Sequence, residues 1–423
     1  MNLLKTSFFS AIIAFIRVGT GFVAGKAIAI LTGPAGVALI GAFSNFITVV
    51  LTFANGAINT GVVKYTAEYE KDEENLKSLF STSFRISVYC SGFIGVVLFL
   101  FGTLFSKWIF VTKLYGNPIR VLGVTIILYS LNSLMISILN GKKEIKKYTL
   151  VNTVGSIIGL IFTLILVYYF KLEGALYALV LSQSIVFFIT LFLITKSDWF
   201  SWKYFKLGFN KVIALKLSHY SLMAIVSAVT IPVSQILLRN IIIKNLGVDS
   251  AGFWQGMMRI SDGYLMIITT SLSTYYLPKL SSIKEEYEIK SEVFKSFKII
   301  MPLVVLGCII IYFLRFVIIS VLFTKNFMAM QALFFWQLLG DFFKIASWIL
   351  GYIMIAKSMT KYFLITEIFF STNYVFFGWL FMKYYNVEGV AMAFALNYLL
   401  CLFFMIYIFR KLLFQRNKQI NSS

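Results

Sequence analysis

Apolar runs of about twenty residues, repeated along most of the chain and separated by short basic stretches, constrain this sequence more than any other feature. A helix of roughly 20 apolar residues rises about 30 Å and crosses the hydrocarbon of a bilayer. The chain is 59% hydrophobic and only 13% charged, about half the charge of a soluble domain. It has too little polar surface to cover a water-soluble fold. The reading is an all-α membrane protein with twelve transmembrane helices, at 8–31, 37–63, 82–105, 119–140, 149–170, 175–195, 215–243, 251–278, 296–320, 329–356, 362–382 and 389–409. The first run is too long for the apolar stretch of a secretory signal and is expected to stay as the first span.

The residues between the runs set the orientation. A net charge of +21 invites a nucleic-acid reading. The basic residues form no patch, however, but punctuate the spans, so no nucleic-acid partner is expected. With the N-terminus in the cytoplasm, 25 basic residues fall on the cytoplasmic side and 8 on the other. That excess predicts both termini inside. No loop is long enough for a soluble catalytic domain, so no enzyme is expected, and no Gly-rich phosphate loop suggests ATP hydrolysis. Cys90, Cys308 and Cys401 lie singly in apolar runs and His219 is the sole histidine. Neither a metal site nor a cofactor is expected.

The chain repeats itself. Ala35-Gly36 recurs as Ala251-Gly252, Lys147-Tyr148 as Lys361-Tyr362, and Leu172-Glu173-Gly174-Ala175 as Val387-Glu388-Gly389-Val390, with Lys64 answering Lys279. All four matches are in order and share nearly one offset, close to half the chain. An even number of spans per half gives two six-helix lobes in parallel repeat, 1–200 and 201–423. That plan places a central cavity between the lobes and works by alternating access.

Charges at bilayer depth cost at least ~2.5–3.5 kcal/mol each and call for a wet cavity or a partner. Arg17, Lys26, Arg239, Arg259 and Lys344 outnumber Asp262, Asp341 and Glu367, so a cavity lined by them attracts anions. Asn45, Thr48, Thr52, Asn55 and Asn59 share one helix face, as do Gln255, Arg259 and Asp262, and Gln337, Asp341 and Lys344. Two readings stand for these stripes: hydrogen bonds between helices, or the wall of a hydrated passage. The pairs Arg259/Asp262 and Asp341/Lys344 either neutralise each other or exchange protons. Arg17 and Lys26 are nine residues apart, on opposite faces of an ideal helix. Either the glycines between them bend the helix or one of the two snorkels.

Four motifs carry a family resemblance: Thr32-Gly-Pro-Ala-Gly-Val37, Gly61-Val-Val-Lys-Tyr65, Gly252-Phe-Trp-Gln-Gly256 with Ile260-Ser-Asp262, and Trp336-Gln-Leu-Leu-Gly-Asp341 with Ile355-Ala-Lys357. The chain resembles Wzx-type lipid-linked oligosaccharide flippases, which handle O-antigen or enterobacterial common antigen units, of the multidrug/oligosaccharidyl-lipid/polysaccharide exporter superfamily. The resemblance implies a bacterial inner-membrane protein. Its cargo would be an undecaprenyl-diphosphate-linked oligosaccharide, moved from the cytoplasmic to the periplasmic leaflet by an ion gradient. Its partners would be membrane lipid, a polysaccharide polymerase and a chain-length regulator.

On that basis Arg17, Arg259, Arg239 and Lys26 are the candidates for binding the diphosphate, since guanidinium groups grip phosphates in bidentate fashion. Asn55, Asn59, Trp254, Gln255 and Gln337 are the candidates for contacting the glycan. Asp262, Asp341, Lys344 and Glu367 are the candidates for ion coupling. The alternative is a cation-coupled multidrug exporter of the same superfamily. Such a protein is expected to carry acidic groups in its first lobe, and the spans of this one hold none.

Overall fold

The computed structural model describes residues 3–283, 285–357 and 359–414; the side chains of 1–11 and a few later residues, His219 among them, lie outside the description. Every regular element among the described residues is helical. The chain divides into two compact units, Met1–Asn240 and Ile241–Ser423.

The first unit contains α1 (Leu3–Ala54), α2 (Asn59–Glu68), α3 (Glu73–Phe110), α4 (Gly116–Gly141), α5 (Ile145–Thr195) and most of α6 (Lys211–Leu246). The second contains α7 (Val248–Ser271), α8 (Leu277–Ser282), α9 (Glu286–Phe313), α10 (Arg315–Leu322), α11 (Phe334–Ala356), α12 (Thr360–Ile408) and α13 (Arg410–Phe414). Eight helical stretches among the described residues are long and apolar enough to cross a membrane. The sequence reading has twelve. Part of the difference lies in α1, α5 and α12, each of which runs through two of the expected spans. The rest lies in α7, whose polar face (Gln255, Arg259, Asp262) keeps it out of the eight.

These long helices are broken, and the breaks recur. In α1 the break is at Gly33 (φ 65°, ψ −167°). A similar break is at Gly247 (φ 87°, ψ 166°), between α6 and α7. Glu144 (φ −74°, ψ 56°) and Met359 (φ −79°, ψ 57°) precede α5 and α12. Their backbone N–H groups reach back five residues, to Leu139 O at 3.0 Å and Met354 O at 2.8 Å. Within α5 the break is at Lys171 (φ 52°, ψ −128°), and within α12 at Asn386 (φ 50°, ψ −144°). At both, the chain doubles back so tightly that a glycine meets a carbonyl eight residues earlier, Gly174 against Leu166 O and Gly389 against Phe381 O. Where α1 ends, Ala57 N–H bonds Thr52 O at 2.9 Å; after α7, Leu272–Tyr276 form a π-helical turn.

Lys171 has its backbone in a left-handed region where a Cβ is strained. Lys171→Gly is expected to stabilise the protein by about 1 kcal/mol, read as a rise in thermal unfolding temperature in detergent.

Packing follows the logic of a lipid solvent. The buried face of α3 carries Ser83, Ser87, Ser91, Gly95 and Gly102, while Phe93, Phe99, Leu100 and Leu104 on the same helix are exposed. Small residues let α3 and α4 approach until Gly95 and Gly123 leave no room for a Cβ on either side. Lipid tails are as apolar as leucine, so close backbone contact rather than burial of large side chains holds such helices together.

Candidate transport site

In the second unit, α7 and α11 bring the central polar cluster together. Asp341, one turn after Gln337 on α11, is fully buried. Ser261 Oγ donates to it at 2.7 Å and Tyr264 Oη at 2.6 Å. Gln337 Nε2 lies 3.4 Å from Asp341 Oδ1, and Gln337 Oε1 has no partner among the described residues. A carboxylate out of water needs such donors, and each hydrogen bond to a charged group contributes roughly 1.5–3 kcal/mol. Tyr264 also approaches Cys308 Sγ at 3.9 Å.

Lys344, one turn further along α11, does not pair with Asp341. Its ammonium lies 3.9 Å from Asp262 Oδ1. It sits among three rings, 4.9 Å from the centroid of Trp348 and 5.8 Å from those of Phe394 and Tyr398. The pair is lopsided: the Lys344 side chain is 9% exposed and that of Asp262 is 64% exposed. Buried in aromatic surroundings, Lys344 draws on ring quadrupoles as well as on a carboxylate at the limit of ion-pair distance. Arg259 is half-buried on α7, and Glu367 is half-buried on α12. Neither forms a salt bridge among the described residues. Trp254 is buried and donates from Nε1 to Tyr374 Oη at 3.3 Å. Gln255 is buried with its Oε1 unpartnered among the described residues.

In the first unit, Arg17 is exposed and Lys26 half-buried on α1. The helix runs unbroken between them, its break coming only at Gly33. The glycines between the two therefore do not bring them to one face. Arg239 on α6 is 0% exposed, and its Nη1 donates to the Ala38 carbonyl at 3.3 Å. Its Nε and Nη2 find no partner among the described residues. Four residues earlier, Gln235 Oε1 accepts from Asn45 Nδ2 at 2.9 Å, and beside Arg239, Asn240 Nδ2 donates to Trp108 O at 2.7 Å. Asn59 Nδ2 donates to Ser133 Oγ at 2.8 Å. Asn55 is buried, and the Oδ1 of both Asn55 and Asn59 is unpartnered among the described residues.

Sequence reasoning passed over Ser261, Tyr264, Tyr374 and the rings around Lys344. Ser261 and Tyr264 had a legible signal, being one turn apart on a helix already marked by Arg259 and Asp262. The rings had none, because Phe and Tyr are common throughout the chain.

The buried acid–hydroxyl cluster thus sits on helices packed among others long and apolar enough to cross a membrane. The fold is that of the MOP superfamily. The chain superposes on an inward-facing multidrug resistance MATE family transporter with a TM-score of 0.80 at 14% identity, covering 94% of this chain and 98% of that one. It superposes on the lipid II flippase MurJ in an inward closed conformation with a TM-score of 0.72 at 15% identity, covering 96% of this chain and 87% of that one. Residues 41–332 match the family described as "Polysaccharide biosynthesis protein". The chain is also 32% identical over 405 residues to the lipid III flippase of Escherichia coli (strain K12), covering 94% of this chain and 96% of that one. The chain belongs to the polysaccharide biosynthesis protein family, as a multi-pass membrane transporter and not an enzyme.

Proposed function

We propose that this chain is a flippase that carries an undecaprenyl-diphosphate-linked oligosaccharide, an O-antigen or enterobacterial common antigen repeat unit, from the cytoplasmic to the periplasmic leaflet. The observation that carries this reading is the 32% identity to the lipid III flippase along 94% of the chain. The cation surplus among the membrane-embedded charges supports an anionic cargo. In this reading α1, α5 and α12 each cross twice and α7 once, giving twelve spans in two repeats, 1–200 and 201–423. The recurrence of the backbone breaks at one nearly constant offset supports that count. The 25-to-8 distribution of basic residues supports both termini on the cytoplasmic face of the inner membrane. A polysaccharide polymerase and a chain-length regulator are the expected partners downstream.

The division of labour follows the chemistry of the cargo. Arg17, Lys26, Arg239 and Arg259 neutralise the diphosphate. Arg17 is open in this conformation, Lys26 and Arg259 are half-buried, and Arg239 is enclosed. Asn55, Asn59, Trp254, Gln255 and Gln337 meet the sugars, the buried ones among them only once the surrounding helices part. Asp262, Asp341, Lys344 and Glu367 couple transport to an ion gradient. When a cation neutralises Asp262, Lys344 loses its partner and its charge becomes available to the phosphate.

The test is Arg259→Ala in proteoliposomes with fluorescently labelled lipid-linked oligosaccharide. Flipping is expected to fall roughly tenfold to hundredfold, the loss of one charge-assisted contact in a low-dielectric site. Unchanged flipping removes Arg259 from the mechanism. Transport of cationic drugs without lipid flipping by the unaltered protein replaces the flippase with the multidrug exporter.

A further inference from the structure

The segment between α5 and α6, residues 196–211, is fastened to the first unit along its length. At its start Lys147 Nζ donates to Ser197 Oγ at 2.6 Å, and Trp199 Nε1 to Glu144 Oε1 at 3.0 Å. Further on, Ser81 Oγ of α3 donates to the carbonyls of Phe205 and Leu207, and Asn210 N–H donates to Thr82 Oγ1 at 3.1 Å. Tyr204 and Phe205 pack their rings on Phe80 of α3, centroids 5.8 and 6.0 Å away. The side chains around those two are left outside: Trp202, Leu207 and Phe209 are 56%, 44% and 48% exposed. Lys203, Lys206 and Lys211 are exposed among them in the chain. The segment holds four lysines and one acid, Asp198. Lys203 lies near Glu73, which itself pairs with Lys77 at 2.8 Å. Lys206 and Lys211 form no salt bridge among the described residues.

The helix that carries the segment gives its depth. On α3 the exposed apolar side chains run from Tyr89 to Trp108, about 28 Å of helix against a hydrocarbon thickness of about 30 Å. Tyr and Trp are the residues that mark the two edges of that layer. Ser81 and Thr82, which hold the segment, lie beyond Tyr89 by about 10–12 Å, at the outer edge of a headgroup layer about 5–8 Å deep. Along the chain the exposed apolar side chains continue from Phe209 into Val212 and Leu215 of α6, so the lipid-facing surface and the segment are continuous. Exposed Trp, Phe and Leu interspersed with lysines at headgroup depth match an anionic bilayer surface, apolar rings lying among the upper acyl chains and ammonium groups among the phosphates. A segment already fixed by its hydrogen bonds loses little freedom on meeting it.

We propose that residues 202–211 bind the headgroups of anionic membrane lipids. The proposed orientation places them on the cytoplasmic leaflet; the identity of the cargo does not enter.

The experiment uses the full chain in phosphatidylcholine vesicles with a trace of phosphatidylglycerol carrying a photoreactive diazirine close to its headgroup, and the matching phosphatidylcholine probe in parallel. Each lysine at an anionic lipid is worth roughly fivefold in binding. After photolysis, mass spectrometry is therefore expected to find at least about tenfold more phosphatidylglycerol label than phosphatidylcholine label on peptides containing residues 202–211. Unlabelled phosphatidylglycerol should displace it, and 1 M salt should remove most of the excess. Changing Lys203, Lys206 and Lys211 together to Gln should bring the two probes level, and changing all three to Arg should keep the excess.

Equal labelling of the unaltered protein by the two probes would overturn the proposal, leaving contact with bulk lipid. Absence of label from this segment would overturn it too, leaving the face to a protein partner. So would an excess that survives both salt and the glutamine variant. Displacement by polyprenyl diphosphate at a hundredth of the phosphatidylglycerol concentration would overturn it in favour of an entry site for cargo. Should the glutamine variant fail to insert, salt and competition with the unaltered protein decide alone. Both leaflets of the vesicles have one composition, so failure of the proposed orientation or of the flippase reading leaves the labelling as it is.

Discussion

A Gly174→Ala variant is expected to lose about 3 kcal/mol or more of stability, and Gly389→Ala a similar amount. A Cβ at Gly174 would collide with the carbonyl oxygen of Leu166, and one at Gly389 with that of Phe381. The obstacle in both is backbone at a chain reversal, not the end of a flexible side chain, so the hairpin itself must open. The expected result is a fall in thermal unfolding temperature of roughly 6–12 °C in detergent. Gly92→Ala and Gly307→Ala are the controls. Both glycines lie inside helices with nothing within 4 Å of an added Cβ, so alanine should stabilise each by up to about 1 kcal/mol. Opposite signs for the two pairs are the signature. Equal stability of Gly174→Ala and Gly92→Ala would mean that α5 does not turn back at Lys171.

Asp341→Asn is expected to fold and to lose gradient-driven transport by roughly a hundredfold. Asparagine keeps the shape of the side chain and one acceptor oxygen. The hydroxyls of Ser261 and Tyr264, which now share a carboxylate at 2.7 and 2.6 Å, still find a partner, and the loss of stability stays near ~1–2 kcal/mol. Asparagine cannot gain or lose a proton, however, and holds a cation poorly. Asp341→Ala differs: it leaves two buried hydroxyls without an acceptor, at about 1–3 kcal/mol each, and is expected to fold badly. In proteoliposomes, accumulation driven by an imposed ion gradient should vanish in Asp341→Asn, while exchange of lipid-linked oligosaccharide without a gradient persists. Normal gradient-driven accumulation would exclude Asp341 from coupling.

The sequence reading puts polar faces on α7 and α11 and does not say what those faces touch. Asp341 and Lys344 stand one turn apart, the spacing of a neutralising pair. In the structure Lys344 reaches across to Asp262 and into a cluster of rings, while Asp341 takes hydroxyls from α7. Spacing along one helix reports which residues share a face. It carries no information about the neighbouring helix. Arg239 shows the same limit: the sequence marks it as a membrane-embedded charge, and only the packing of α6 on α1 leaves it buried with spare donors.

Insertion into a bilayer is a sum of local transfer terms, residue by residue. For that reason the all-helical membrane architecture and the excess of cations within the apolar runs are legible in the chain alone. Which side chains meet depends on how far each helix rotates and how closely it approaches its neighbours. In lipid, that is set by the fit of small residues such as Gly95 against Gly123. The acid–hydroxyl cluster, the burial of Arg239 and the tightness of the reversals at Gly174 and Gly389 were therefore decided by tertiary packing.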